Sequence, residues 1–550
     1  TLWLQVFLLL CAIFTFACPL QCTRRPPHII YILADDMGWN DVSFHGSNQI
    51  PTPNLDSLAY HGVILNRHYT QPLCTPSRST LMTGKYPVNT GVHNALAASH
   101  KTGLPLSEKI LPQYLKDIGY VTHSVGKWHL GFYRREFTPL ERGFDTHFGY
   151  WSGAISYYDH INEDLILIPP NKYPFSGHDL RRNYTSAWDL VGRYATDLFT
   201  DEAVHLIDNH PPDRPLFLYL AHLAVHAGNE GKLLEAPQDE INRFSYISDP
   251  NRRSYAAMVS KLDKSIGLVI SALERNNMLK DSIVVFLSDN GAPNIGVYNN
   301  WGSNYPWRGQ KATLWEGAVR TPALVWSPLI NRPSRVSYDL MHISDWLPTL
   351  LSATGCDVQL VNIDGINQWP TLSHGYPTTR DGLIVDIDKE NDMYALLFNN
   401  FKYIKGPVSK LSKPEESTFL NLDIIRSQQE PEYKIEDLLQ YPAWQVMQKH
   451  SKDQYLHFRV QELRQEANVR CRHDLDQTVN CTTDPCLFNI QTDPCEQYNL
   501  GMEFPSILDQ FERHIDFYRR TGVPNVPLNN DLASNPACFN GTWNIWVHSN

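Results

Sequence analysis

The run His28-Ile29-Ile30-Tyr31-Ile32-Leu33-Ala34, ending on Asp35-Asp36, decides the fold. It reads as a short buried strand, and residues 121–125, 216–221 and 283–288 repeat the pattern. Between them lie segments of helical character at 55–61, 109–118, 201–209 and 255–276, the last with apolar residues at helical spacing. This alternation predicts an α/β fold, with one large, mostly parallel sheet carrying helices on both faces. Each strand gives way to unusually polar residues: Asp35-Asp36, Gly126-Lys127-Trp128-His129, His222 with His226, and Asp289-Asn290-Gly291. Ligands of open α/β sheets bind beyond the carboxyl ends of the strands, so these segments are expected to converge on one site. Asp, Asn and Gly also favour turns, which is the alternative reading of any one of them.

Beyond about residue 375 the texture changes to shorter β-like runs at 383–387, 394–398 and 401–404, and residues 407–469 show little periodicity. The chain therefore divides into a large domain at 26–375 and a smaller C-terminal domain at 376–550 with an antiparallel sheet. With 550 residues, 42% of them hydrophobic, there is material for a core in each. A formal charge of -11 without clustered Lys and Arg excludes a nucleic-acid partner, and an anionic substrate would need a local positive site.

Residues 1–22 read as a signal peptide, apolar and uncharged to Ala17 and then polar from Gln21. An uncleaved anchor is the alternative, since the run approaches spanning length. No later segment has the composition of a span, so no stable membrane span is expected after cleavage. The sequons Asn183-Tyr184-Thr185, Asn480-Cys481-Thr482 and Asn540-Gly541-Thr542 fit passage through the secretory pathway, to a lysosome or to secretion. Cys11, Cys18 and the borderline Cys22 go with the leader, while Cys471, Cys481, Cys486 and Cys495 cluster as expected of disulfides in an oxidising compartment. Zinc is the competing reading of that cluster, but the spacings repeat no CxxC pair.

The segment richest in chemistry is Leu73-Cys74-Thr75-Pro76-Ser77-Arg78-Ser79-Thr80-Leu81-Met82-Thr83-Gly84-Lys85. Pro76 suits the first turn of a helix and Gly84 its end, which puts Cys74 just before a helix N-terminus, where backbone N–H groups favour an anion. Arg78 lies one turn on from Thr75, on the same face. Taken alone, Cys74 would be a small buried hydrophobe.

Cys74-Thr75-Pro76-Ser77-Arg78 resembles the sulfatase signature C-x-P-S-R, and the match runs on through Leu81-Met82-Thr83-Gly84-Lys85. In family order it continues with Leu33-Ala34-Asp35-Asp36-Met37-Gly38-Trp39, Gly126-Lys127-Trp128-His129-Leu130-Gly131, Ser288-Asp289-Asn290-Gly291 and Arg308-Gly309-Gln310-Lys311. Arg142-Gly143-Phe144-Asp145-Thr146 and His342-Ile343-Ser344-Asp345-Trp346 bring it nearest to the arylsulfatase B, I and J group. The resemblance implies an alkaline-phosphatase-like fold and a sulfuric ester hydrolase. It further implies that Cys74 is oxidised to formylglycine by the formylglycine-generating enzyme during biosynthesis. One calcium ion would be held by Asp35, Asp36, Asp289, Asn290 and the residue made from Cys74, an oxygen set suited to a hard cation. Arg78 would hold the hydrated aldehyde and His129 would steady it. Lys127 and Lys311 would bind sulfate, and His226 would stand near the ester oxygen. The substrate implied is a sulfated sugar or glycosaminoglycan, such as N-acetylgalactosamine 4-sulfate, with a small sulfated metabolite as the other possibility.

The chain departs from the family in two places. His222-Leu223-Ala224-Val225-His226-Ala227-Gly228 lacks the Pro usual after the histidine, so His226 is assigned on its spacing from the strand and His222 competes with it. The cysteines that the arylsulfatase B group pairs between the signature helix and the Lys127 strand are missing, which leaves Cys538 without its family partner. Two rival functions stand beside the hydrolase: a phosphoesterase of the alkaline-phosphatase-like superfamily, with two zinc ions and a Ser or Thr nucleophile, and an idle binder of sulfated glycans with Cys74 unoxidised.

Overall fold

The computed structural model describes residues 22–548 apart from 169–170, 295, 297–298, 411–429 and 472–478. Eight strands form most of a ten-stranded sheet: β1 (His28–Ala34), β2 (Val63–Leu65), β3 (Val121–Lys127), β4 (Thr146–Tyr150), β5 (Leu216–Ala221), β6 (Ser282–Ser288), β7 (Ala323–Trp326) and β8 (Arg335–Ser337). Their order is β8-β2-β7-β6-β1-β5-β3-β4, extended at the β4 edge by the short strands Arg181–Arg182 and Thr185–Ser186. β6, β1, β5, β3 and β4 run parallel, and β7 turns antiparallel against β6. The sheet is thus mixed and mostly parallel, as expected.

Alternation along β1 sorts its side chains between two cores. Ile30, Ile32 and Ala34 pack with α1 (Pro53–His61), α4 (Ala195–Asp208) and α5 (Pro250–Arg275). Ile29, Tyr31 and Leu33 pack with α2 (Cys74–Thr83), α3 (Leu111–Asp117) and α6 (Trp346–Thr354) on the other face. Covering both faces leaves the strand ends as the open edge. In register, Ala34 lies opposite Ser288, Leu33 opposite Ala221, and Ala221 opposite Gly126. Asp35, Asp289 and Lys127 therefore leave the sheet at one level.

The smaller sheet is antiparallel, in the order β9 (Gly382–Asp388), β10 (Met393–Phe398), β11 (Phe401–Lys405) and β12 (Cys486–Asn489). Residues 407–469 differ from their flat sequence reading. α7 (Pro442–Lys449) and α8 (Val460–Ala467) return to the large sheet, where Trp444, Met447, Val460 and Leu463 join the core of α1 and α5. The last long helix, α9 (Pro505–Thr521), gives Phe511 and Ile515 to the core of the small sheet.

Cys471 pairs with Cys495 and Cys481 with Cys486, so the C-terminal cluster is satisfied by disulfides. Cys22, grouped above with the leader, is instead bonded to Cys356 beyond α6, which ties it to the folded chain. Cys538 is exposed and unbridged. The leader itself lies outside the described residues, and no helix among those described is long and apolar enough to cross a membrane. All three sequon asparagines are exposed.

Candidate active site

Ten side chains from six chain segments meet at the carboxyl edge of the sheet: Asp35, Asp36, Cys74, Arg78, Lys127, His129, His226, Asp289, Asn290 and Lys311, every one of them buried. Local backbone geometry puts them there. Asp36 (φ 61°) and His129 (φ 58°) adopt the left-handed conformation that side chains resist, a strain concentrated at functional sites. Gly126 (φ 97°) lets β3 approach β5, since a Cβ there would stand 1.9 Å from the Ala221 carbonyl oxygen. Helix α2 begins at Cys74 itself, with extended Leu73 as its cap, rather than one residue later. Pro76 falls in its first turn, and Gly84 closes it in the left-handed conformation with its N–H on the Thr80 carbonyl.

Cations and carboxylates interleave across the centre. Arg78 donates from Nε (3.0 Å) and Nη2 (2.8 Å) to Asp289 Oδ2, and Nη2 stands 3.5 Å from Asp35 Oδ1. Lys127 Nζ is 2.8 Å from Asp35 Oδ2, and Lys311 Nζ is 2.6 Å from Asp36 Oδ1. Asn290 Nδ2 donates to Asp36 Oδ1 at 2.6 Å. Burial pushes the Asp35 carboxyl up, but Lys127, His226 and Arg78 outweigh it and hold Asp35 below its ordinary range. Asp289 is pushed above its ordinary range by burial and by the neighbouring Asp35 carboxylate.

The two candidate histidines part company. His226 Nε2 lies 3.3 Å from Lys311 Nζ and 3.4 Å from Asp36 Oδ2, while its Nδ1 donates to the Ala227 carbonyl at 2.5 Å. His222 lies 3.1 Å from Ser265 Oγ on α5 and packs beside Phe199, and burial drives its pKa down to about 3. The structure thus brings His226 into the cluster and leaves His222 beneath it. Burial, then the Lys127 charge, holds His129 neutral, with its pKa far below the ordinary value. Its Nε2 donates to the Leu96 carbonyl at 2.8 Å, and its buried Nδ1 has no hydrogen-bond partner among the described residues.

Among the described residues, Asp35 Oδ1 and Asn290 Oδ1 are likewise buried without a hydrogen bond, Asp35 Oδ1 having only the Arg78 guanidinium at 3.5 Å. Orphaned oxygens are costly unless something charged or protic meets them. Two such atoms among the Asp35, Asp36, Asp289 and Asn290 oxygens make the donor set of a hard cation, so these residues fit a calcium ion. Asn300 belongs to this centre although the sequence reading passed over it: its Nδ2 donates to the Asp36 carbonyl (2.8 Å) and the Val225 carbonyl (3.1 Å). It stands in no motif, and only its backbone partners reveal it.

Residues 27–356 match the Sulfatase family model. Arylsulfatase J of Mus musculus is 36% identical over 524 residues, spanning 94% of this chain and 80% of that protein. N-acetylgalactosamine-6-sulfatase of Homo sapiens is 35% identical over 375 residues, spanning 64% of this chain and 66% of that protein. Among solved structures, the PsFucS1 sulfatase from Pseudoalteromonas sp. matches with a TM-score of 0.65 over 92% of each chain, at 22% identity, which speaks for the fold. Sheet, strand-end cluster and relatives agree: the chain belongs to the sulfatase family and is a sulfuric ester hydrolase.

Proposed function

We propose that this hydrolase desulfates sugars, with residue 74 as formylglycine and one calcium ion bound by Asp35, Asp36, Asp289, Asn290 and residue 74. The observation that carries the reading is charge balance at one buried point. Three carboxylates, Asp35, Asp36 and Asp289, face three cations, Arg78, Lys127 and Lys311. A divalent ion in that cluster leaves a net positive charge, which an anionic sulfate ester then offsets. When bound, calcium withdraws electron density from sulfate oxygens and from the hydroxyl of residue 74. The aldehyde hydrate supplies an attacking hydroxyl and a second hydroxyl whose deprotonation releases sulfate, a release that a plain thiol lacks.

The chain's own residues do the rest. Lys127 and Lys311 grip the sulfate oxygens and stabilise the charge that builds there. Arg78, anchored on Asp289, fixes residue 74 from within the same helix. His129 offers its Nδ1 lone pair to that residue, because its Nε2–H is committed to Leu96. With its Nδ1–H on the Ala227 carbonyl, His226 serves the departing alcohol as the imidazolium, giving up the second proton from Nε2 between Lys311 and Asp36. The exposed sequons and the two disulfides of residues 471–495 support passage through the secretory pathway, ending in a lysosome or outside the cell. The name of the human relative, an N-acetylgalactosamine-6-sulfatase, supports a sulfated amino sugar as substrate.

One experiment tests the reading against both rivals. Protein secreted from cells is digested for peptide mass spectrometry at residue 74, analysed for metal, and screened on defined sulfated sugars, aryl sulfates and phosphate monoesters. An aldehyde at position 74, about one calcium per chain and release of sulfate are expected. Active enzyme with intact Cys74 rejects the formylglycine step. Two zinc ions with phosphate release favour the phosphoesterase, and an intact thiol with glycan binding but no turnover favours the idle binder.

A further inference from the structure

A second buried cluster lies on the seam between the two sheets. His93 Nδ1 is 3.1 Å from Asp386 Oδ1 on β9, and Lys410 Nζ is 2.7 Å from Asp386 Oδ2. Lys410 Nζ also donates to the His93 carbonyl at 2.7 Å and stands 3.7 Å from Asp388. The side chains of all four residues are almost fully buried, which is expensive for charged groups unless each is paired as these are.

The cluster connects to the active centre through three residues of backbone. Leu96, in the same loop as His93, accepts the Nε2–H of His129 on its carbonyl and donates its N–H to Thr75 Oγ1 at 3.2 Å. One peptide segment therefore sets which nitrogen of His129 bears the proton and touches the helical turn that begins at Cys74. His93 itself is held by Asp386 and, at its carbonyl, by Lys410, from the smaller sheet and the chain that follows β11, while Val92 beside it packs into the core under the large sheet. The Lys410 backbone N–H is in turn fixed on the Ala312 carbonyl at 2.9 Å, next to Lys311.

We propose that Asp386 and Lys410 are positioning residues for His129, acting through the loop from His93 to Leu96, so that the smaller sheet sets the imidazole of the catalytic centre. The inference rests on the role given to His129 above. A loop displaced at His93 lets the Leu96 carbonyl drift, and His129 then loses its single tautomer and its aim at residue 74. A misplacement of about 1 Å in such a group costs on the order of 10²-fold in rate.

The test is a double-mutant cycle in the full-length, calcium-loaded enzyme with an aryl sulfate. His93→Leu removes the bond to Asp386 while leaving the Lys410–Asp386 ion pair in place. His93→Asn keeps a donor near the position of Nδ1. His129→Ala is measured first: if its kcat equals wild type, the reading of His129 fails and the proposal falls with it. Given a loss there, His93→Leu is expected to lower kcat by roughly 10- to 100-fold with KM little changed, and His93→Asn to restore most of it. Added to His129→Ala, His93→Leu is expected to have almost no further effect, because its action runs through the missing ring. An undiminished loss on the His129→Ala background overturns the proposal. So does a His93→Leu protein whose melting curve and kcat both match wild type. Should His93→Leu not fold, Lys410→Met enters the same cycle and is judged by the same non-additivity.

Discussion

Lys127 and Lys311 meet the same sulfate group in every substrate, whereas a proton donor matters in proportion to how poor the leaving group is. Lys127→Ala and Lys311→Ala are therefore expected to slow 4-nitrophenyl sulfate and a sugar sulfate alike, by about 10²- to 10³-fold. His226→Ala is expected to cost the sugar sulfate about 10²- to 10⁴-fold and the aryl ester far less, since a nitrophenolate departs unprotonated. His222→Ala serves as the control, and steady-state kinetics on both esters reads all four variants. A selective loss in His222→Ala instead of His226→Ala would move the donor role. Asp35, Asp36, Asp289 and Asn290 were legible because they directly follow apolar runs, Cys74, Arg78 and Lys311 through resemblance to the family motifs, and His226 was assigned on spacing with His222 left as its competitor. The physical signal was there: Leu216, Leu218 and Leu220 face the α5 core, and His222 continues that alternation toward Ser265. Only the loop beyond it brings His226 round to Lys311.

At the scale of elements, length and burial decided what the sequence disclosed. β1, β5 and β6 are continuous apolar runs buried along their whole length, and their expected bounds differ from the observed ones by a residue at most. β2 and β8 have three residues each, too few to show a period, and α4 starts at Ala195, six residues before the expected 201. α7 escaped notice because its apolar stripe is short, Ala443, Trp444 and Met447 with Val446 at its edge, and its value lies in what it covers. Trp444 packs with its ring 4.4 Å from that of His61 at the end of α1, closing one side of the α1 and α5 core. Trp444→Ala is expected to destabilise the protein by about 3–5 kcal/mol, through lost transfer energy and the cavity left behind. Thermal or denaturant unfolding of the variant would show this as a lower midpoint. A midpoint equal to wild type would mean that α7 only rests on the surface.

Across the whole molecule, the fully buried carboxyls Asp263, Asp56 and Glu496 have values raised toward neutrality, and they oppose the buried histidines, whose values are lowered. Burial pushes Asp263 on α5 up to about 7 despite its bonds from Asn54 and Leu55, and Asp56 on α1 up to about 6. Between the two sheets, Glu496 and Glu316 flank Lys402, at 2.7 and 3.0 Å from its ammonium. Burial raises Glu496 to about 7, whereas Lys402 and Arg320 outweigh burial at Glu316 and hold it below its ordinary range. A carboxyl whose folded pKa is raised binds its proton more tightly in the folded state, so its contribution is full below the unfolded value and is lost as pH rises through the folded one. For Asp263 and Glu496 that loss runs from about pH 4 up to pH 7, and for Asp56 up to about pH 6, at roughly 1.4 kcal/mol per unit for each group, and flattens above. Glu316, Asp35 and Asp386, with lowered values, act in the opposite sense and only on the acid side of their ordinary range. Buried histidines act the other way: His28, His45, His68, His123, His147, His178 and His222 have folded values lowered to about 3 or 4, so each must shed a proton on folding below about pH 6.5, and together they outweigh the three carboxyls; the melting temperature is expected to be lower at pH 5 than at pH 8. Asp263→Asn and Glu496→Gln carry a permanently neutral amide in place of the titrating group, and each is expected to make the melting temperature rise more steeply from pH 5 to pH 7 than in wild type. Calorimetry of wild type and both variants across this range decides the matter: a slope untouched by both amides would mean that these carboxyls are ionised in the folded protein.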